Sequence, residues 1–210
     1  MVVILVLVVI IVQANINVVN DPKKIRVACM KDSITDDHFS NYPSLLQNML
    51  GDNYEVESFG IMGATVLFDT YWPYVYQTEF FEVKKFLPDI AVIMLGTNDA
   101  RPDNFGSIQN FVQDYTKIIK QIQMLESKPK IFVVKPPPIF ENIVELAPEN
   151  FSEEIIPRIE EVANSQNLEI IDVYSLMENH PEYLIDGVHP NTEGAGVIAS
   201  QVYDAIVGSS

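Results

Sequence analysis

Asp89-Ile90-Ala91-Val92-Ile93-Met94-Leu95 runs straight into Gly96-Thr97-Asn98-Asp99. An almost unbroken apolar run of this length, closed by a polar turn, is the pattern of a strand covered on both faces. Four more β-rich runs stand around it: Ile25 to Met30, Tyr54 to Phe59 with partial alternation, Lys130 to Val134, and Leu168 to Val173. Helical spacing fills the intervals. Ile108, Phe111, Val112, Tyr115, Ile118, Ile119 and Ile122 recur at i, i+3, i+4 and mark an amphipathic helix. Tyr42 to Leu50, Ser152 to Asn164 and Thr192 to Val207 read as further helices, with Ser152 and Thr192 as candidate N-caps and Pro157 blurring the start of the third. Strands alternating with helices predict an α/β domain, a five-stranded parallel sheet with helices on both faces. Ligands of such sheets bind outside the carboxyl ends of the strands. Ser33 follows the first strand, Gly63 the second and Asn98 the third, so the topology carries all three to one rim.

Composition narrows the function. The 210 residues suit one domain with a full core, and 48% apolar content excludes disorder. The net charge is −16, and no Lys or Arg follows Arg158. Such a surface repels phosphate backbones and anionic lipid, which argues against nucleic-acid binding. Cys29, the single cysteine, sits inside an apolar run and reads as a core residue; no Cys or His spacing suggests a metal site. Met1 to Val12 are apolar and lead into Gln13-Ala14-Asn15. That length matches a signal-peptide core and falls short of the ~20 residues of a membrane-spanning helix. The expected organisation is a leader over 1–14, a lead-in over 15–24 and one domain over 25–210. The protein is then secreted or periplasmic, without stable membrane association once the leader is removed. The missing Lys or Arg before the apolar run leaves an uncleaved membrane anchor as the alternative. Oligomeric state is not legible in the sequence.

The chemistry gathers at the rim. A serine hydroxyl is a weak nucleophile and needs a neighbouring base. Of His38, His180 and His189, only His189 has a carboxylate at close fixed spacing, Asp186 in Asp186-Gly187-Val188-His189-Pro190. A carboxylate three residues away can orient the imidazole and stabilise its protonated form. Acyl transfer also needs donors for a tetrahedral oxyanion. The Ser33 N–H, the Gly63 N–H and the Asn98 side-chain amide are candidates; Gly63 as a plain turn glycine and Asn98-Asp99 as a turn pair are the alternatives. The flanks of Ser33 do not form the Gly-x-Ser-x-Gly elbow of α/β-hydrolases.

Four blocks in order resemble the SGNH (GDSL-type) hydrolase superfamily: Asp32-Ser33-Ile34-Thr35, Phe59-Gly60-Ile61-Met62-Gly63-Ala64-Thr65, Gly96-Thr97-Asn98-Asp99 and Asp186-Gly187-Val188-His189-Pro190-Asn191. The resemblance implies a flavodoxin-like three-layer α/β/α sandwich. It implies Ser33 as nucleophile, His189 and Asp186 as its partners, and Ser33, Gly63 and Asn98 as the oxyanion hole, with no metal or cofactor. Within the superfamily the chain is similar to small secreted carbohydrate esterases, including sialate O-acetylesterase-like domains, through Tyr71-Trp72-Pro73-Tyr74, Met94 to Asp99 and Pro136-Pro137-Pro138. That similarity implies a serine esterase acting on short, acetyl-type esters of carbohydrates. Tyr71, Trp72, Tyr74 and Tyr76 could stack on a sugar face or pack a helix on the sheet, and Arg101 could counter the acidic surface locally. One position departs from the pattern: Lys31 stands where the family block has glycine. Either lysine strains the backbone or crowds the pocket there, or the backbone is ordinary and the side chain points outward. The first case leads to a non-catalytic carbohydrate-binding relative. A lysophospholipase or acyl-thioesterase keeps the catalysis and changes the substrate.

Overall fold

The five apolar runs pair edge to edge. A computed structural model describes residues 23–32, 42–142 and 144–208. In it β1 (Ile25–Lys31), β2 (Tyr54–Gly60), β3 (Ile90–Met94), β4 (Lys130–Lys135) and β5 (Glu169–Asp172) form one parallel sheet in the order β2-β1-β3-β4-β5. From β1 the chain goes to one side for β2 and returns to the other for β3. The strand order therefore reverses between β1 and β3, whose ends pair Lys31 with Met94. A crevice outside the carboxyl ends of the strands is expected at such a reversal.

Alternation along the strands separates two cores. Ala28, Met30, Ala91, Ile93, Ile131 and Val133 face one side, where α2 (Thr78–Phe86), α3 (Phe111–Gln123) and α5 (Ile156–Ser165) bury Phe80, Val83, Phe111, Ile118 and Ile159. Val27, Cys29, Val92, Met94, Phe132 and Val134 face the other, against α1 (Tyr42–Leu50), α6 (Val173–Met177) and α7 (Thr192–Gly208). This is the three-layer α/β/α sandwich. Burial pushes the Cys29 thiol up to about 11, so it stays protonated and behaves as a small apolar residue.

The helices differ from the sequence reading at several points, α6 among them. Helix α2 was not anticipated, because it buries only Phe80 and Val83 among charged residues and gives a weak periodic signal. The helix expected from Ser152 begins earlier, with the short α4 (Pro148–Asn150). It passes through a wide turn over Phe151–Ile155, where the Ile156 N–H reaches back to Phe151 O, and only then becomes α5. Ser152 is no cap: its hydroxyl donates back to Glu149 O. Asn191 rather than Thr192 caps α7, its Oδ1 accepting from the Glu193 and Gly194 N–H groups at 3.0 Å each. The proposed leader and most of the lead-in fall outside the described residues. Among those described, no helix is long and apolar enough to cross a membrane.

Lys31 resolves differently from either expectation. Its backbone lies in β1, paired with Gly60 and Met94 and outside the left-handed region, so lysine imposes no φ strain. The side chain does not reach solvent; it is fully buried on the α1 side, its ammonium 5.7 Å from the centre of the Tyr42 ring. Replacing it with glycine removes a buried aliphatic stem and loosens a central strand. Lys31→Gly is expected to cost roughly 2–4 kcal/mol, seen as a lower denaturation midpoint. A variant at least as stable as the wild type would restore the strain reading.

Candidate active site

The loop before α7 brings Asp186 and His189 together. Asp186 Oδ1 accepts from the Val188 and His189 N–H groups at 3.1 and 2.8 Å, while Oδ2 lies 2.7 Å from His189 Nδ1. Partial burial works to raise the Asp186 pKa. The hydrogen bonds from the His189 backbone and ring and from Val188 outweigh it, and the carboxyl is held below its ordinary value. An ionised carboxylate only accepts, so Nδ1 carries a ring proton, and in the neutral tautomer Nε2 holds the lone pair. Gly187 makes the turn possible: its φ is +85°, and a Cβ there would collide with Glu141 O. Its carbonyl accepts from the Phe140 N–H at 2.8 Å, which fastens this loop to the segment after β4.

Two consecutive residues after β3 organise the loop after β2. Asn98 Nδ2 donates to Ala64 O at 3.1 Å, which fixes the plane of the amide and leaves its second N–H for another acceptor. Asp99 accepts from the Val66 and Leu67 N–H groups at 2.9 Å each. The Asp99 carboxyl is fully buried, and this desolvation, helped by the nearby Asp32 charge, raises its pKa to about 7 against the backbone hydrogen bonds. Gly63 therefore sits on a loop clamped from β3. Its φ is +77°, a conformation that favours glycine, and its N–H donates to nothing among the described residues.

These residues surround one cavity of about 300 Å³. Gly63, Asn98, Asp186 and His189 all line it. Val144, Leu146, Val188 and Ile185 supply apolar surface, and Met62 and Arg101 complete the lining. The apolar wall was not legible in the sequence. It depends on Asn142, whose Nδ2 donates to Phe140 O and Leu146 O and whose Oδ1 accepts from the Val144 and Leu146 N–H groups, folding the loop inward. An asparagine four residues before a leucine carries no signal of that closure.

The aromatic residues divide. Tyr74 is buried, donating its hydroxyl to Phe59 O at 2.7 Å and packing edge-on against Phe80, so it is not available to a sugar. Tyr71, Trp72 and Tyr76 are exposed. Trp72 is beside the site: its Cδ1 lies 4.0 Å from where a Gly63 Cβ would be. Tyr71 and Trp72 do not themselves line the cavity. Ser33 and His38 lie outside the described residues. Asp32, the residue before Ser33, is buried directly after β1.

Comparison with known proteins shows the family and the fold. The model of the GDSL-like lipase/acylhydrolase family matches residues 32–197. An acetylxylan esterase from Xylanibacter ruminicola is 34% identical over 87% of this chain. The chain spans only 43% of that relative's length. Among solved structures, an acetyl xylan esterase superposes with a TM-score of 0.70 at 23% identity, covering 87% of this chain and 100% of that one. A carbohydrate acetylesterase family member from Sinorhizobium meliloti gives 0.68 at 22% identity, covering 86% and 96%. The structural likenesses carry the fold, and the family match together with the 34% identical relative carries the kinship. The chain belongs to the GDSL-like lipase/acylhydrolase family, a family of carboxylic ester hydrolases.

Proposed function

We propose that this protein is a serine esterase that removes short acyl groups, acetyl above all, from carbohydrate esters. The observation that carries the reading is the Asp186–His189 pair, 2.7 Å apart, on the wall of a small cavity that also holds Gly63 and Asn98. In this reading Ser33 Oγ attacks the ester carbonyl while His189 Nε2 takes its proton, forming the C–O bond of a tetrahedral intermediate. The Gly63 N–H, the second Asn98 N–H and the Ser33 N–H receive the oxyanion. Each such donor contributes roughly 2.7–4 kcal/mol in other hydrolases. Collapse breaks the bond to the sugar oxygen, which leaves with the proton from His189. Water, deprotonated by the same imidazole, then releases acetate from Ser33.

The substrate class is supported from two sides. The relative named for acetylxylan shares 34% of its aligned residues with this chain. The cavity, about 300 Å³, lies at the small end of ligand pockets, room for a short acyl group and part of a sugar. Trp72, exposed beside Gly63, offers a stacking surface there, and its neighbour Tyr71 is exposed too. Lys31 has no φ strain and is absent from the cavity lining, which supports the catalytic reading over a non-catalytic relative.

The test is a chain-length series of p-nitrophenyl esters, together with acetate release from acetylated xylan and labelling by a fluorophosphonate. Acetate esters are expected to be hydrolysed with a kcat/KM at least about tenfold above octanoate esters, since a chain too long for the cavity cannot seat its carbonyl at the donors without a steric penalty. Labelling should map to Ser33. A preference for long acyl chains would favour the lysophospholipase reading, a preference for thioesters the acyl-thioesterase reading, and absence of both turnover and labelling the binding protein.

A further inference from the structure

We propose that Arg101 forms a carboxylate subsite at the edge of this cavity, so that the preferred esters carry an anionic group; this rests on the esterase reading above. Arg101 is the cationic residue among the described residues lining the cavity. It follows the turn that carries Asn98, held there by its N–H to Asn98 O at 3.3 Å and by the Asn104 N–H to its carbonyl at 2.9 Å. A group bound to Arg101 is thus registered to the same turn that supplies the proposed Asn98 oxyanion donor.

The guanidinium is available for such a ligand. Its ionic partner is Glu145 Oε2 at 3.8 Å, beyond hydrogen-bond distance, with the Glu145 side chain 86% exposed and that of Arg101 36% exposed. An ion pair this open contributes little and is easily exchanged. The planar fork of N–H groups matches a carboxylate two-on-two, a pairing that Glu145, outside the cavity lining and 3.8 Å away, does not make. The acidic side chain in the lining, Asp186, is engaged by His189 and the backbone. A chain with a net charge of −16 repels anions at long range, and a cationic residue in the cavity lining offsets that repulsion locally. The carboxylate can stand on the alcohol side, as in an O-acetylated uronic acid, or on the acyl side, as in the half ester of a dicarboxylic acid.

The experiment compares kcat/KM for matched neutral and anionic esters: acetylated glucose against acetylated glucuronate, and p-nitrophenyl acetate against p-nitrophenyl hemisuccinate. Arg101→Gln is expected to lower the anionic-to-neutral ratio about tenfold, the scale of one partly exposed charge-assisted hydrogen bond. Arg101→Lys should restore part of it, and Glu145→Gln should raise the ratio, because it removes the competing carboxylate. The pair of esters whose ratio responds identifies the side that bears the charge. If Arg101→Gln and Glu145→Gln shift both ratios in the same direction, or leave both unmoved, the two residues merely latch their loops together and the subsite is refuted. If the wild type hydrolyses no ester, the esterase reading fails by itself. Calorimetric titration with glucuronate and with glucose then decides the subsite: tighter glucuronate binding that Arg101→Gln abolishes supports it, and equal binding overturns it.

Discussion

Ser33→Ala is expected to lower kcat/KM for acetate esters by roughly 10⁴–10⁶-fold while leaving the denaturation midpoint within a degree or two of the wild type. Only one hydroxyl oxygen is removed. Substrate binding and the remaining oxyanion donors persist, which is why residual catalysis above the uncatalysed rate is expected. The proposed partner His189 acts with Ser33 as one unit, since the base has no proton to take once the hydroxyl is gone. His189→Ala should therefore be of similar severity, and the double variant should be little worse than either single one. Losses that multiply in the double variant would show that the two residues work independently. Turnover by Ser33→Ala within a hundredfold of the wild type would move the nucleophile to another residue.

Asp186→Asn is expected to reduce kcat by roughly 10³–10⁴-fold with a small change in KM, and here the geometry dictates the reason. Asp186 Oδ1 accepts two backbone N–H groups, so the amide oxygen of asparagine must take that position. Its NH₂ then faces His189 Nδ1, where Oδ2 had been. A donor at that point forces Nδ1 to accept, which puts the ring proton on Nε2 and leaves no base for the nucleophile. Stability should change with pH in a defined direction. The Asp186 carboxyl is held below its unfolded value, so its stabilising contribution is present above about pH 4 and is lost as pH falls through the lower, folded value. Asp186→Asn should flatten that acid limb while also removing activity. Wild-type kcat in Asp186→Asn would mean that the carboxylate serves only to shape the loop. The measurement is steady-state kinetics beside denaturation midpoints between pH 3 and 7.

Fold and site were legible to different depths, for different physical reasons. The strand pattern is local: an apolar run of four to seven residues must be buried, and alternation with amphipathic helices permits few arrangements other than a covered parallel sheet. Ile25, Tyr54, Ile90, Lys130 and Glu169 accordingly open strands within a residue of where the sequence places them. Helix α2 escaped because Phe80 and Val83 alone are buried on it, and a π-like turn before α5 cannot be read from Pro157.

The sequence by itself also singled out Gly63, Asn98, Asp186 and His189, because each belongs to a short segment whose residue types announce a turn and a chemistry. That those residues enclose one cavity was a matter of tertiary structure, through the strand order that reverses between β1 and β3. So were the conformation of Lys31, the burial of Tyr74 and the clamp that Asp99 places on the loop after β2. The apolar wall of Val144 and Leu146 belongs there too, folded inward by Asn142. A strand or a turn is encoded in the spacing of neighbouring side chains. Whether a lysine is strained, whether a tyrosine meets solvent and how deep a pocket runs depend on what packs from distant parts of the chain, and local spacing carries no record of that.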